Sequence, residues 1–278
     1  MQDFSFKKPD SLDAAVAALE AQEDGIYLAG GQTILPVMKF GLAEPTGVVD
    51  LSGIADLVKI EVTDKVVSIG AMTTHAAVAA SVDIRRALPG LADLAGLIGD
   101  PQVRNRGTLG GSIANNDPSA DYPAAVLALN ATVVTNRREI TADDFFVDMF
   151  ETALEDGEII TRVDFPITDC AAYAKFANPA SRYAVAGVFV AKRNAKTDGG
   201  VRVAVTGAGP VVFRVPDMEA ALDGDFSPDA IKNISVPADG LNNDIHASAE
   251  YRSHLIGVMA ERAIKTAKET NNKGGGAQ

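Results

Sequence analysis

The chain has 278 residues, above the size one hydrophobic core usually serves, so two or three packed units are expected. Its 47% hydrophobic and 22% charged residues are those of a globular protein. A net charge of −12 argues against a nucleic-acid groove, because phosphate backbones require a clustered positive field.

The opening residues carry no apolar run after their basic ones, so they do not read as a signal peptide. "SLDAAVAALEAQEDG" reads as a helix capped by Ser11, with Leu12, Ala15, Val16 and Leu19 on one face and Gly25 as a left-handed terminator. "IYLAG" is a short buried strand that runs into Gly30 and Gly31, and "GVVDLS" is another. "LVKIEVTDKVVSIGAM" alternates about Thr63–Asp64, a hairpin signal. "THAAVAASVDIRRALPGLADLAGLIG" is helical with a break at Pro89. "DYPAAVLALN" is a helix for which Asp121 serves as cap and Pro123 suits the first turn. "ATVVTN" and "GEIITRVDFPI" are strands.

Beyond residue 170 the pattern changes to two long strands about Asp198–Gly199–Gly200, a hairpin signal, and later an amphipathic helix, "SHLIGVMAERAIKTAKE". No apolar run reaches the roughly 20 residues that span a bilayer, so a cytoplasmic protein without a membrane span is expected. The boundaries are expected at 1–56, 57–168 and 169–270, with a disordered tail at 271–278.

Cys170 is the one cysteine, which excludes an internal disulfide and a four-cysteine iron–sulfur or zinc site built from this chain alone. His75, His246 and His254 lack metal-ligand spacing and read as surface or core histidines. There is no phosphate-binding GxxxxGK[ST], and "GAGPVV" lacks the third glycine of a dinucleotide fingerprint, so Gly207 and Gly209 read as loop residues.

The two glycine pairs carry more. Glycine lets backbone approach oxygen atoms closely and take positive φ, so successive amides can converge on a phosphate without lysine. In "AGGQT", Ala29 through Thr33 are expected to form one such nest, with Gln32 and Thr33 adding side-chain donors. In "TLGGS", Thr108, Gly110, Gly111 and Ser112 are expected to form a second, and two facing nests suit a diphosphate held between two lobes.

Together "AGGQTILPVMK", "QVRNRGTLGGSIANNDPSADYPAAVLAL", "GEIITRVDFP" and "KFANPASRYAVAGVFVA" resemble the FAD-binding medium subunit of the molybdenum hydroxylases, the carbon monoxide dehydrogenase and xanthine dehydrogenase relatives, over essentially the whole chain. The resemblance implies an α+β fold: a two-subdomain FAD-binding region of the PCMH type, then a C-terminal domain of antiparallel sheet plus helices. It implies that Ala29, Gly30, Gly31, Gln32, Thr33, Ile34, Leu35 and Pro36 wrap the FAD pyrophosphate. Thr108, Leu109, Gly110, Gly111 and Ser112 would line the other side. Asp121 would accept a hydrogen bond from a cofactor hydroxyl, Ile98 and Ile160 would touch the cofactor, and Lys175 would lie near the flavin. Tyr122 and Tyr183 are candidates for covering the ring; Arg104 and Arg106 either help hold phosphates or pair with acidic neighbours. Gln32 and Thr33 stand where relatives often carry histidine and serine, and both keep hydrogen-bonding capacity.

The implied role is an electron-transfer subunit with no catalytic side chain of its own. It would take electrons from a [2Fe–2S] small subunit, reduced by a molybdopterin-binding large subunit, in a dimer of heterotrimers. A standalone FAD oxidase of the vanillyl-alcohol-oxidase-like superfamily and a non-catalytic scaffold subunit are the alternatives.

Overall fold

In the computed structural model, which describes residues 3–193 and 199–274, three sheets follow one another along the chain. The first has strands β1 (Ser5–Lys7), β2 (Gly25–Leu28) and β3 (Gly47–Asp50), all parallel, with β3 in the middle. Helix α1 (Leu12–Glu20) links β1 to β2, and the Ser11 hydroxyl caps it by accepting the Ala14 amide at 3.4 Å. The helix stops at Ala21 in a right-handed conformation, so Gly25 is not its terminator; it opens β2 instead. Helix α2 (Ile34–Lys39) follows the first glycine pair.

The second sheet is antiparallel, in the order β4 (Ile60–Val62), β5 (Val66–Gly70), β10 (Ile160–Pro166), β6 (Thr132–Thr135), β7 (Glu139–Thr141). The hairpin expected at Thr63–Asp64 joins β4 to β5. The helical stretch after it divides into α3 (His75–Ala80), α4 (Val82–Ala87) and α5 (Pro89–Gly96). Pro89 accounts for one break; the other falls at Ser81, whose extended backbone caps α4 through its hydroxyl. Then come α6 (Pro101–Arg106), α7 (Leu109–Asn115) and α8 (Tyr122–Ala128), and after β7 a short helix α9 (Ala142–Phe145) with the hairpin β8 (Phe146–Asp148) and β9 (Glu151–Thr152). Every residue of α8 is buried, as its almost uninterrupted apolar sequence requires.

The third sheet is antiparallel: β11 (Cys170–Ala177), β12 (Ala184–Arg193), β13 (Gly200–Thr206), β14 (Phe213–Arg214). Arg193 pairs with Gly200, so β12 and β13 are joined as expected, but Gly200 opens β13 rather than sitting in the turn, and Asp198 lies outside the described residues. One face of this sheet shares a core with α8 and the second sheet, through Tyr173, Phe189, Ala191 and Ala204. The other face is covered by α10 (Pro216–Gly224), α11 (Pro228–Ile231) and the long α12 (Ala249–Gly274). Helix α12 continues past the boundary placed at 270; residues 275–278 of the expected tail lie outside the described residues. No helix among the described residues is long and apolar enough to cross a membrane.

Candidate functional site

Residues of the first two sheets, together with the loop before β12 of the third, line one cavity of about 730 Å³, within the range of small-molecule sites. The turn between β2 and α2 supplies one wall, α7 and the end of α6 the opposite wall, and the loop before β12 one end. Leu19, Tyr27 and the 154–159 segment surround the other end, where the Tyr27 hydroxyl donates to the Gly157 carbonyl at 3.3 Å.

The two glycine segments, far apart in sequence, meet here. A Cβ on Gly30 would collide with the Arg106 carbonyl and lie 2.7 Å from the Gly107 Cα, so only glycine permits this approach. A Cβ on Gly111 would lie 3.3 Å from that of Ala29. Gly31 has φ +74°, the left-handed region that turns the chain into α2. None of the amides of Gly30, Gly31, Gln32 and Thr33 donates to a protein acceptor among the described residues, and all four residues line the cavity. Unpaired donors at a concave surface are the chemical requirement for holding an anion.

The second segment is built differently from a nest. The Leu109 amide donates to Thr73, Gly110 to Ala71, Gly111 to the Thr108 hydroxyl at 3.1 Å and Ser112 to the Thr108 carbonyl. All four donors are committed to the protein, because this stretch bridges to the end of β5 and opens a helix. Thr108, Gly110, Gly111 and Ser112 line the cavity as a close-packed wall; Leu109 is fully buried and faces the core. The amide nest is therefore one-sided.

The other expected residues divide. Ala29, Ile34, Ile98, Ile160 and Asp121 line the cavity. Leu35 and Pro36 do not: the first turn of α2 rotates them away, leaving Ile34 and Val37 inward and Leu35 41% exposed. Tyr183 lines the mouth, but Tyr122 is fully buried behind the wall. Arg104 pairs with no carboxylate among the described residues; its guanidinium donates to the Ile98 and Gly99 carbonyls at 3.0 Å and shapes that end.

Asp121 does not cap α8, since its side chain turns elsewhere. Its Oδ1 accepts the Tyr173 hydroxyl at 2.5 Å, and both oxygens accept the Lys175 ammonium at 3.0 Å. Lys175 and Asp121 are each 4% exposed, so this is a buried ion pair. Lys175 does not itself line the cavity; its ammonium is held by Asp121, which does. Burial raises the Asp121 pKa, and the Lys175 charge and the two hydrogen bonds oppose that rise.

Several lining groups gave no sequence signal. His75 packs against the Tyr122 ring at 5.3 Å, and burial, with Arg104 nearby, lowers its pKa to about 4, so it is a neutral wall at physiological pH. Glu158 joins Arg138 (3.0 Å) and the Thr135 hydroxyl (2.7 Å); burial pushes its pKa up, but those bonds and the Glu155 amide bring it to about 2. That network fixes the 154–159 segment at the cavity end.

Residues 2–168 match the family described as the FAD binding domain in molybdopterin dehydrogenase. The nicotine 6-hydroxylase medium subunit of Paenarthrobacter nicotinovorans is 39% identical, over 93% of this chain and 95% of its own length. The carbon monoxide dehydrogenase medium chain of Hydrogenophaga pseudoflava is 34% identical, over 95% of this chain and 96% of its own. A solved structure of carbon monoxide dehydrogenase from the same organism, lacking the Mo-pyranopterin moiety of its cofactor, superimposes with a TM-score of 0.86 at 35% identity, covering 96% of this chain and 98% of that one.

Proposed function

The chain belongs to the family of FAD-binding domains in molybdopterin dehydrogenases, and on that premise we propose that it carries electrons through FAD from an iron–sulfur partner to an external acceptor. It is the FAD-binding medium subunit of a molybdenum hydroxylase, an oxidoreductase complex. The observation that carries the reading is the wall of unpaired amides at Gly30–Thr33, set directly against the α6–α7 segment.

These residues fit FAD. Four free donors suit a pyrophosphate, Asp121 offers an acceptor to a hydroxyl, and the isoleucines Ile98 and Ile160 suit an aromatic ring system. FAD, when bound, supplies reversible two-electron uptake; the chain's own part is to bind, orient and shield it. Gly30–Thr33 hold the anionic centre. Leu109–Ser112, rigid because its amides are already bonded, sets the cavity width. Tyr183 and Arg182 stand at the mouth, with the Arg182 guanidinium reaching the Gly99 carbonyl at 3.5 Å.

The partners in this reading are a [2Fe–2S] small subunit as electron donor and a molybdopterin-binding large subunit that oxidises substrate, arranged as a dimer of heterotrimers in the cytoplasm. The near full-length match to chains named medium subunits supports it over a standalone oxidase, which needs a substrate domain of its own, and over an empty scaffold. Purified alone, the chain is expected to bind one FAD and to leave it oxidised when offered candidate substrates. With the two partner subunits and substrate, the same flavin should bleach. Bleaching by substrate without partners would overturn the assignment.

A further inference from the structure

The Asp121 carboxylate is placed by a strand of another sheet. Tyr173 and Lys175 are two residues apart on β11 and so share a face, and both reach across to the start of α8. A carboxylate has about four acceptor sites. Oδ1 takes both the Tyr173 hydroxyl and Lys175, while Oδ2 takes Lys175 alone and keeps one site free. Asp121 lines the cavity, and Tyr173 does not.

The sheet makes room for this arrangement. On β12, Gly187 pairs with Lys175, and a Cβ there would run into the Tyr173 hydroxyl and sit 2.9 Å from its Cζ. The missing side chain lets the phenol lie along the sheet toward Asp121, with its ring stacked on Phe189 at 6.2 Å. A phenylalanine would fill the same core, so hydrophobic packing alone does not explain the hydroxyl.

We propose that Tyr173 is a positioning residue of the FAD site: with Lys175 it fixes the Asp121 carboxylate so that the free acceptor of Oδ2 meets a cofactor hydroxyl. This rests on the FAD reading given above. The hydroxyl also helps keep Asp121 ionised against burial, the effect that raises its pKa. The other titratable groups facing Asp121 are Lys175 and the phenols of Tyr122 and Tyr183; burial raises the pKa of both phenols, so they stay neutral.

The test is FAD titration of the flavin-free full chain, followed by flavin fluorescence from pH 5 to 9, with apo-protein melting measured alongside. Tyr173→Phe is expected to weaken FAD by roughly tenfold at neutral pH, the scale of one hydrogen bond to a charged group. Its loss of affinity on acidification should begin at higher pH than in wild type, because Asp121 has lost a donor that stabilises its charge. Gly187→Ala, which displaces the phenol but keeps the hydroxyl, should weaken binding similarly. Asp121→Asn should bind weakly with no acid limb. An unshifted pH profile and wild-type affinity in Tyr173→Phe, even with a lowered melting temperature, would overturn the proposal. Wild-type affinity in Asp121→Asn would do the same. If wild type itself fails to bind FAD, the FAD reading falls, and this inference with it.

Discussion

Gly30→Ala is expected to cost the protein its flavin. The added methyl has nowhere to go: it meets the Arg106 carbonyl and the Gly107 Cα, both backbone atoms, which cannot yield as a flexible side chain would. Relief requires the β2–α2 turn to move off the α6–α7 wall, which widens the cavity where the free amides lie. Overpacking of this kind costs about 1–3 kcal/mol or more, so the FAD dissociation constant should rise by roughly tenfold to a hundredfold. Gly224→Ala is the control, since its Cβ would have no neighbour within 4 Å. Equal FAD affinity in the two variants would mean that the contact between the turns does not shape the site.

Lys175→Met should produce the largest loss of stability. Lys175 and Asp121 are each 4% exposed, so removing the ammonium leaves a carboxylate in the core with only Tyr173 as donor. Breaking a buried pair from one side typically costs about 3–5 kcal/mol. The pH dependence has a definite sign. Burial already raises the Asp121 pKa above its ordinary 3.8, and without Lys175 it rises further. The folded variant then binds its proton more tightly than the unfolded chain, so raising the pH above that ordinary value favours unfolding. The deficit relative to wild type should be largest at neutral pH and shrink as the pH falls toward 4. Urea unfolding of the apo chain at pH 5 and pH 8 measures this; equal deficits would show that Asp121 is not the group left without a counter-charge.

What the sequence revealed and what it hid follow from the range of the interactions. The Ser11 cap, the β4–β5 hairpin and the Pro89 break depend on neighbours within a few residues, and all three appear in the fold. Gly30 and Gly31 were legible as a turn because glycine there has few other uses. Gly110 and Gly111 looked the same in the sequence, yet their amides bond Ala71 and Thr108, a difference set by where β5 ends. The Asp121 position resembles a helix cap in every local respect; only the arrival of β11, more than fifty residues later, draws the carboxylate away. His75 and the 154–159 segment reach the cavity through tertiary packing, so no spacing rule marks them. Leu35 and Pro36 continue the motif of the first turn in sequence, but helical rotation takes them out of the cavity lining.

The most direct measurement is residue-level hydrogen exchange of the full chain with and without FAD. The amides of Gly30, Gly31, Gln32 and Thr33 have no protein acceptor among the described residues, whereas Leu109 through Ser112 are already bonded. Binding of the pyrophosphate at the β2–α2 turn predicts that the first four slow sharply on adding FAD while the second four change little. Unchanged exchange at Gly30–Thr33 with flavin demonstrably bound would contradict it.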